Sequence, residues 1–554
     1  MPQSAATPAS SSLSAPPTPS PKESAAQHVE RVKRERPSWS ILDDIRRYAR
    51  EGFESIPADD LAVRLRAWGL YTQGDGAGVR GDAVRYFMMR VRTPNGALTS
   101  TMCRMIADLA DRYARGTLDI TNRQNFQLHW LRIEDVPAIW DALAAVGWTS
   151  QGACGDNTRT VTGCPLAGVD AGEVVDASPI AIAVDRHFNG HPDFANLPRK
   201  FKISITGCRH WCSYPEINDI GLTAVRRGDE VGFSLRVGGG LSTRPHLAVR
   251  LDAFVQWDQV VAVAEAVAGI FRDSDVLRVS RGKARMKYLF LTQGWTAERF
   301  LAEVNARLGY TVDRAVAEEQ LPPEHFRDHV GIHPQRQPGL SYAGFSVAAG
   351  RLRPRLLHQI ADWADEYGDG TLRTTISQNL VVLNVRDDRV HGFESGAVAA
   401  GVAPVASPFQ RGIVACTGSE FCKLALVETK AFSLELIPAL ERRLPEFRQH
   451  LRIHVTGCPN ACGQHSIADI GLQGVQIEDG GRQVDGFDLF VGGGLGTAPD
   501  FAHRVGVRLP ATRVADAIDT LLRAYLATRE EGDVFRSWTA RVGDAQLRGL
   551  LTAA

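Results

Sequence analysis

Two stretches of the chain carry apolar residues at helical spacing, at residues 98–113 and 352–367. A short strand leads into each, and a return strand follows around a Gln-Asn pair, Gln124-Asn125 and Gln378-Asn379. Beyond each of these small modules lies a larger segment. FKISI at 201–205 and LRIHV at 451–455 alternate as strands, VGGGL at 237–241 and 491–495 reads as a glycine turn, and a closing helix follows. The most apolar run, VVAVAEAVAGIF at 260–271, is shorter than a bilayer span and contains Glu265, so it predicts a buried helix.

The pattern recurs because the sequence does. GALTSTMCRMIADLADRYARGTLDITNRQNFQLHWL from Gly96 matches GRLRPRLLHQIADWADEYGDGTLRTTISQNLVVLNV from Gly350. TGCRHWCSYPEINDIGL from Thr206 matches TGCPNACGQHSIADIGL from Thr456, and FSLRVGGGLSTRP matches FDLFVGGGLGTAP. A period this long is a duplicated unit rather than a solenoid. The fold class is therefore α+β, two halves about a pseudo-two-fold axis, each with one small and one larger module. Expected boundaries are 39–150 and 151–330 for the first half, and 331–408 and 409–554 for the second. Residues 1–38, rich in Ser, Ala and Pro, lack an apolar secretory core and read as a disordered tail. A plastid transit peptide is the lesser alternative, disfavoured by the prolines and an arginine-free first half.

Charge narrows the function. Lys+Arg and Asp+Glu are both 63 in 554 residues, so no net field draws the chain to nucleic acid or to a membrane. Nine cysteines are too few for a disulfide scaffold and suit a reducing, cytoplasmic setting. Four of them stand in the second half as C-x5-C (Cys416, Cys422) and C-x3-C (Cys458, Cys462). Soft thiolates on two loops suit an iron–sulfur cluster or zinc, and these spacings lean toward iron, since zinc pairs are more often C-x2-C. Thr417-Gly-Ser-Glu420 has capping-box form, which predicts Cys422 in the first turn of a helix that lowers its thiol pKa; Pro459 suits the start of another.

The first half holds an imperfect copy, with Cys154 aligned to Cys416, Cys208 and Cys212 to Cys458 and Cys462, and Arg159 and Thr160 facing Cys422. These read as relics of the duplication, with Cys164 a conceivable fourth ligand. Its positive charge sets this half apart. Arg90 and Arg92 share one strand face, Lys200 and Lys202 another, Arg123 opens RQNFQ, and residues 276–289 add Arg278, Arg281, Lys283, Arg285 and Lys287. The twin positions hold Gly344, Ser346, Ser377, His450 and Arg452 for Arg90, Arg92, Arg123, Lys200 and Lys202. Cations lost from the twin point to a shared anionic target.

From about Trp39 onward these features resemble the siroheme-dependent sulfite and nitrite reductases, most closely the ferredoxin-dependent sulfite reductases. The marks are the two cysteine pairs, RVR, TNRQNFQ, LPRKFK and WGLYTQ. The resemblance implies ferredoxin-like small half-domains and α/β larger domains that bind siroheme and a 4Fe–4S cluster. It implies that Cys416, Cys422, Cys458 and Cys462 hold the cluster, with Cys462 bridging to siroheme. It assigns Arg90, Arg159, Lys200 and Lys202 to the substrate, and Arg123, Gln127, Arg285 and Lys287 to siroheme carboxylates. Some members link the tyrosine and cysteine corresponding to Tyr71 and Cys154. Cys208 and Cys212 fall outside the family pattern and receive no role. No nucleotide-binding motif is present, so a separate ferredoxin is the expected donor to a monomer that reduces sulfite to sulfide. A ferredoxin–nitrite reductase and a non-catalytic iron–sulfur carrier or sensor are the alternatives.

Overall fold

A computed structural model describes residues 23–76, 84–317, 319, 321–322, 327–402 and 405–553. The two small modules form one body because each completes the other's sheet. One sheet runs in the order Leu70–Thr72, Phe87–Val91, Phe126–Leu131, Leu118–Ile120, and ends on Arg351–Leu352 from the second half. The other runs Gly331–Pro334, Leu340–Phe345, Leu380–Arg386, Thr371–Thr374, and ends on Ala97–Thr99 from the first half. The helices Ser100–Tyr113 and Pro354–Tyr367 pack against each other, and Ile106, Ala110, Ile360 and Ala364 join one core shared by both sheets.

The repeated Gly and Gln-Asn pairs are the residues of this exchange. Gly96 and Gly350 sit at φ +67° and +68°, where a Cβ would lie 2.3 Å from the Thr374 carbonyl oxygen and 2.7 Å from that of Ile120. Gln124 Nε2 donates to Thr374 O at 2.9 Å, and Gln378 Nε2 donates to Ile120 O at 3.0 Å. Asn125 and Asn379 accept from Thr93 N and Val347 N at 3.0 and 2.9 Å. Matched hydrogen bonds across the two halves are the pseudo-two-fold relation in atomic terms.

Each larger domain repeats one topology. Ile203–Thr206 pairs in parallel with Ile220–Arg227, which continues antiparallel to Glu230–Val237 and Val249–Gln256. In the second half Ile413–Ala415 and Ile453–Thr456 lie parallel, followed by Ile470–Asp479, Arg482–Val491 and His503–Pro510. Separate apolar cores hold them, built on Val260–Arg272 in one and Val514–Thr528 in the other. No described helix is long and apolar enough to cross a membrane.

The expected tail needs correction. Residues 1–22 lie outside the described residues, but Ser24 caps a helix, Ala25–Glu35, that docks on the first larger domain. Lys33, 4% exposed, donates to Leu197 O at 2.9 Å and lies 3.4 Å from Asp156. Lys33 and Glu30 find their partners Asp156 and Arg278 more than 100 residues away, which the Ser-, Ala- and Pro-rich composition does not reveal.

Candidate functional site

In the second half, parallel strands bring two cysteines out at one sheet end. Cys416 follows Ile413–Ala415 and Cys458 follows Ile453–Thr456, and Gly457 N donates to Cys416 Sγ at 3.2 Å. Cys422 does not start a helix. Its N–H closes a single turn to Gly418 O at 2.9 Å, and the next helix is Lys430–Arg443. Pro459 likewise lies in a turn, and the short helix there is His465–Ile467. The expected helix-end stabilisation of the thiolate is therefore absent. Burial, with Cys462 beside it, pushes the Cys416 thiol up to about 11, and burial raises Cys422 and Cys458. Three buried thiols that resist ionisation, with Cys462 beside them, suit a polycationic iron cluster that takes their protons' place.

In the first half the cations converge. Arg90 and Gln127 face each other across the ladder, and Gln127 in turn faces Asp119. Arg90 Nη1 reaches Cys154 Sγ at 2.9 Å. Arg159, beside the Tyr71 hydroxyl, donates to Ala153 O at 2.9 Å and Gly155 O at 2.7 Å, so Tyr71 and Cys154 border one pocket. Arg123 donates to Asn218 Oδ1 and Thr160 O, and Arg285 pairs with Asp219 at 2.8 Å. Burial and then Arg159 push Arg123 down to about 9. Burial, opposed by Cys462 and reinforced by Arg285 and Arg159, pushes Lys200 down to about 8. Burial, Arg123 and Lys200 hold Lys202 well below the usual lysine range. Lys287 is engaged by carbonyls of Gly240, Leu241 and Arg244, so it clasps the VGGGL turn, and burial with Arg285 beside it pushes it down to about 7.

Three expected members of the cationic set belong elsewhere. Arg92 is fully buried against Asp185, Arg278 pairs with Glu30 at 2.7 Å, and Arg281 pairs with Asp156 at 2.6 Å. Their acids come from distant segments, so the run of cations in 276–289 overstated the free charge.

Two residues that sequence reasoning passed over organise the site. Asn122 Nδ2 donates to Cys462 O at 2.5 Å, fastening the cysteine loop to the cationic half. Asp219 accepts from both Lys202 N and Arg285 Nη2 at 2.8 Å. Its twin Asp469 instead binds the Arg452 side chain, with Nε at 3.0 Å. Asp219 was visible in the repeat as INDIGL against IADIGL, and replacing the twin arginine by Lys202 leaves the ammonium unbound by that carboxylate.

The residues fit a group that is both metal-bound and polyanionic. Cys462 is the exposed thiol of the four, and Lys200 lies within its electrostatic reach. The Nε atoms of Arg123, Arg159 and Arg285 are buried without hydrogen-bond partners. Such donors need acceptors that the chain itself does not supply.

Residues 154–312 and 407–553 match the family described as the nitrite and sulphite reductase 4Fe-4S domain, and residues 79–146 and 333–399 match the nitrite/sulfite reductase ferredoxin-like half domain. A Mycolicibacterium paratuberculosis protein named sulfite reductase (ferredoxin) 1 is 39% identical over 518 residues, 90% of this chain and 92% of its own. The assimilatory ferredoxin-dependent nitrite reductase of Haloferax mediterranei is 37% identical over 536 residues, 91% and 90%. The solved structure of the Mycobacterium tuberculosis NirA protein superposes with a TM-score of 0.89 at 37% identity, covering 94% of this chain and 97% of that one.

Proposed function

The chain belongs to the nitrite and sulphite reductase family, whose members carry siroheme and a 4Fe–4S cluster, and within it we propose that this chain is a ferredoxin-dependent sulfite reductase. When bound, the cofactors would supply single-electron delivery and an iron centre at which the substrate is reduced. Cys416, Cys422, Cys458 and Cys462 are the cluster ligands in this reading, with Cys462 shared with siroheme. Arg123, Gln127 and Arg285 hold siroheme carboxylates. Arg90, Arg159, Lys200 and Lys202 hold the oxyanion, and the two lysines supply its protons.

One observation carries the choice of sulfite. Lys202 stands where the twin half has an arginine locked to its aspartate, and here that aspartate is occupied by Arg285. A second ammonium beside Lys200 suits sulfite, of which a good fraction is a dianion near neutral pH, better than the nitrite monoanion. Burial holds the proton on Lys202 weakly until an anion binds, so the ammonium is a proton donor as S–O bonds break. With no flavin or nicotinamide module in the sequence, electrons come from a separate acidic ferredoxin. The test is product formation with reduced ferredoxin. Sulfide released in proportion to six electrons consumed supports this reading, whereas turnover of nitrite to ammonia with sulfite inert overturns it.

Arg159 tests the cage. Arg159→Ala is expected to keep the siroheme spectrum while lowering kcat/KM for sulfite by about 10²-fold, the usual loss for one preorganised donor. Unchanged steady-state kinetics would place Arg159 outside the pocket.

A further inference from the structure

The first-half cysteines are not scattered relics. Backbone hydrogen bonds give their true correspondence to the second half. Gly163 N donates to Gln124 Oε1 at 3.0 Å as Ala415 N donates to Gln378 Oε1 at 2.9 Å. Asp170 N bonds Leu166 O at 3.0 Å as Cys422 N bonds Gly418 O at 2.9 Å, and Val174 N bonds Gly207 O at 2.8 Å as Leu426 N bonds Gly457 O at 2.7 Å. Cys164, rather than Cys154, is therefore the counterpart of Cys416. Cys208 and Cys212 correspond to Cys458 and Cys462, and Asp170 replaces Cys422.

The three thiols have come together. Their sulfurs all lie within 4.8 Å of one another, with Cys208 and Cys212 at 3.5 Å. Asp170 is drawn off by Arg327 at 2.7 Å, and His329, from the segment entering the second small module, takes its place with Nε2 at 3.3 Å from Cys212 Sγ. Exposures are 1% for Cys164, 3% for Cys208, 0% for Cys212 and 3% for His329. Leu166, Val169, Tyr342, Val381 and Leu383 wall the cluster. His329 also holds φ +64°, and the facing Gly344 has no room for a side chain, since a Cβ would lie 1.7 Å from His329 O. A non-glycine residue in that region persists only where its surroundings enforce it.

We propose that Cys164, Cys208, Cys212 and His329 bind a single structural Zn²⁺ in a closed tetrahedral site. Zn–S bonds of about 2.3 Å and Zn–N bonds of about 2.0 Å place sulfurs about 3.8 Å apart and sulfur and nitrogen about 3.5 Å apart; the three sulfurs already gather within 4.8 Å, whereas His329 Nε2 stands at 3.3 Å from Cys212 alone and closes on the other two sulfurs as the ion binds. Three thiolates and one imidazole are a standard structural zinc set, and the C-x3-C spacing falls in its range. A four-iron cube holds its ligand sulfurs farther apart than a single ion does, and the second-half thiols do not gather within 4.8 Å among the described residues. The duplicated loop has thus kept three ligands and changed the fourth, turning a cluster cradle into a single-ion clasp. The ion ties the first larger domain to the segment at 327–331, and it fixes the loop whose Tyr214 joins Ala461 of the cluster loop in one buried apolar cluster.

The experiment is metal analysis of the purified holoenzyme by mass spectrometry together with zinc X-ray absorption. The expected result is one zinc per chain beside the full iron content, with a three-sulfur, one-nitrogen shell. Cys212→Ser and His329→Ala should lose zinc while keeping iron and the siroheme absorbance, with a lowered Tm. Should both variants fail to fold, the wild-type absorption spectrum still decides. Holoenzyme with full iron and no zinc overturns the proposal, as does a Cys208–Cys212 disulfide or iron in the place of zinc.

Discussion

Cys462→Ser is expected to abolish sulfite reduction and to remove both the siroheme absorbance and the cluster's iron and labile sulfide. The reason is positional. Cys416 and Cys458 leave adjacent parallel strands, and with Cys422 they are partly or fully buried, whereas Cys462 is the thiol that faces the cationic half. Its carbonyl is gripped by Asn122, and its sulfur lies within the electrostatic reach of Lys200. A serine oxygen is a hard, weak ligand for iron, and under the proposed sharing of Cys462 it would fail the cluster and siroheme together. The asymmetry against the other half gives the control, since Cys208→Ser and Cys212→Ser are expected to retain siroheme and cluster. If Cys462→Ser keeps its siroheme absorbance, the two cofactors do not meet at this sulfur.

Lys202→Asn is expected to move the ratio of kcat/KM for sulfite over nitrite by about tenfold toward nitrite. Two unit charges 4 Å apart attract by about 4 kcal/mol at an effective dielectric of 20, before desolvation is subtracted. About a third of that difference, applied to the extra charge on sulfite, is worth tenfold. Asparagine keeps the size and a hydrogen-bond donor but removes both the charge and the transferable proton. The cofactor spectrum is expected to be unchanged, because Asp219 grips the Lys202 backbone N–H, which the substitution leaves in place. An unchanged ratio, with native cofactor content, would remove Lys202 from substrate choice.

Much of this architecture was legible because a duplication supplies its own comparison. The paired helices, the Gln-Asn crossings and the repeated strand order follow from two copies of one pattern, and the free cations stood out where the copies differ. What failed was local inference in loops. The capping-box spacing at Thr417–Glu420 was real, but Gly418 bends the chain at φ +70° against Thr429 before the single turn that Cys422 closes, and the Glu420 N–H is taken by Glu428 Oε2. Cys154 was matched to Cys416 by its neighbours in sequence, whereas the register is set by Gln124 and Gln378 accepting from Gly163 N and Ala415 N, each one residue before its cysteine. Arg92, Arg278 and Arg281 looked free because Asp185, Glu30 and Asp156 are remote in sequence. His329 carried no signal at all, since only folding brings it to Cys212.

Steady-state kinetics of the native holoenzyme on sulfite and on nitrite, with reduced ferredoxin as the common donor, test the central claim most directly. A higher kcat/KM for sulfite, with sulfide as product, is expected. A higher kcat/KM for nitrite would contradict it and make this chain a nitrite reductase built on the same paired halves.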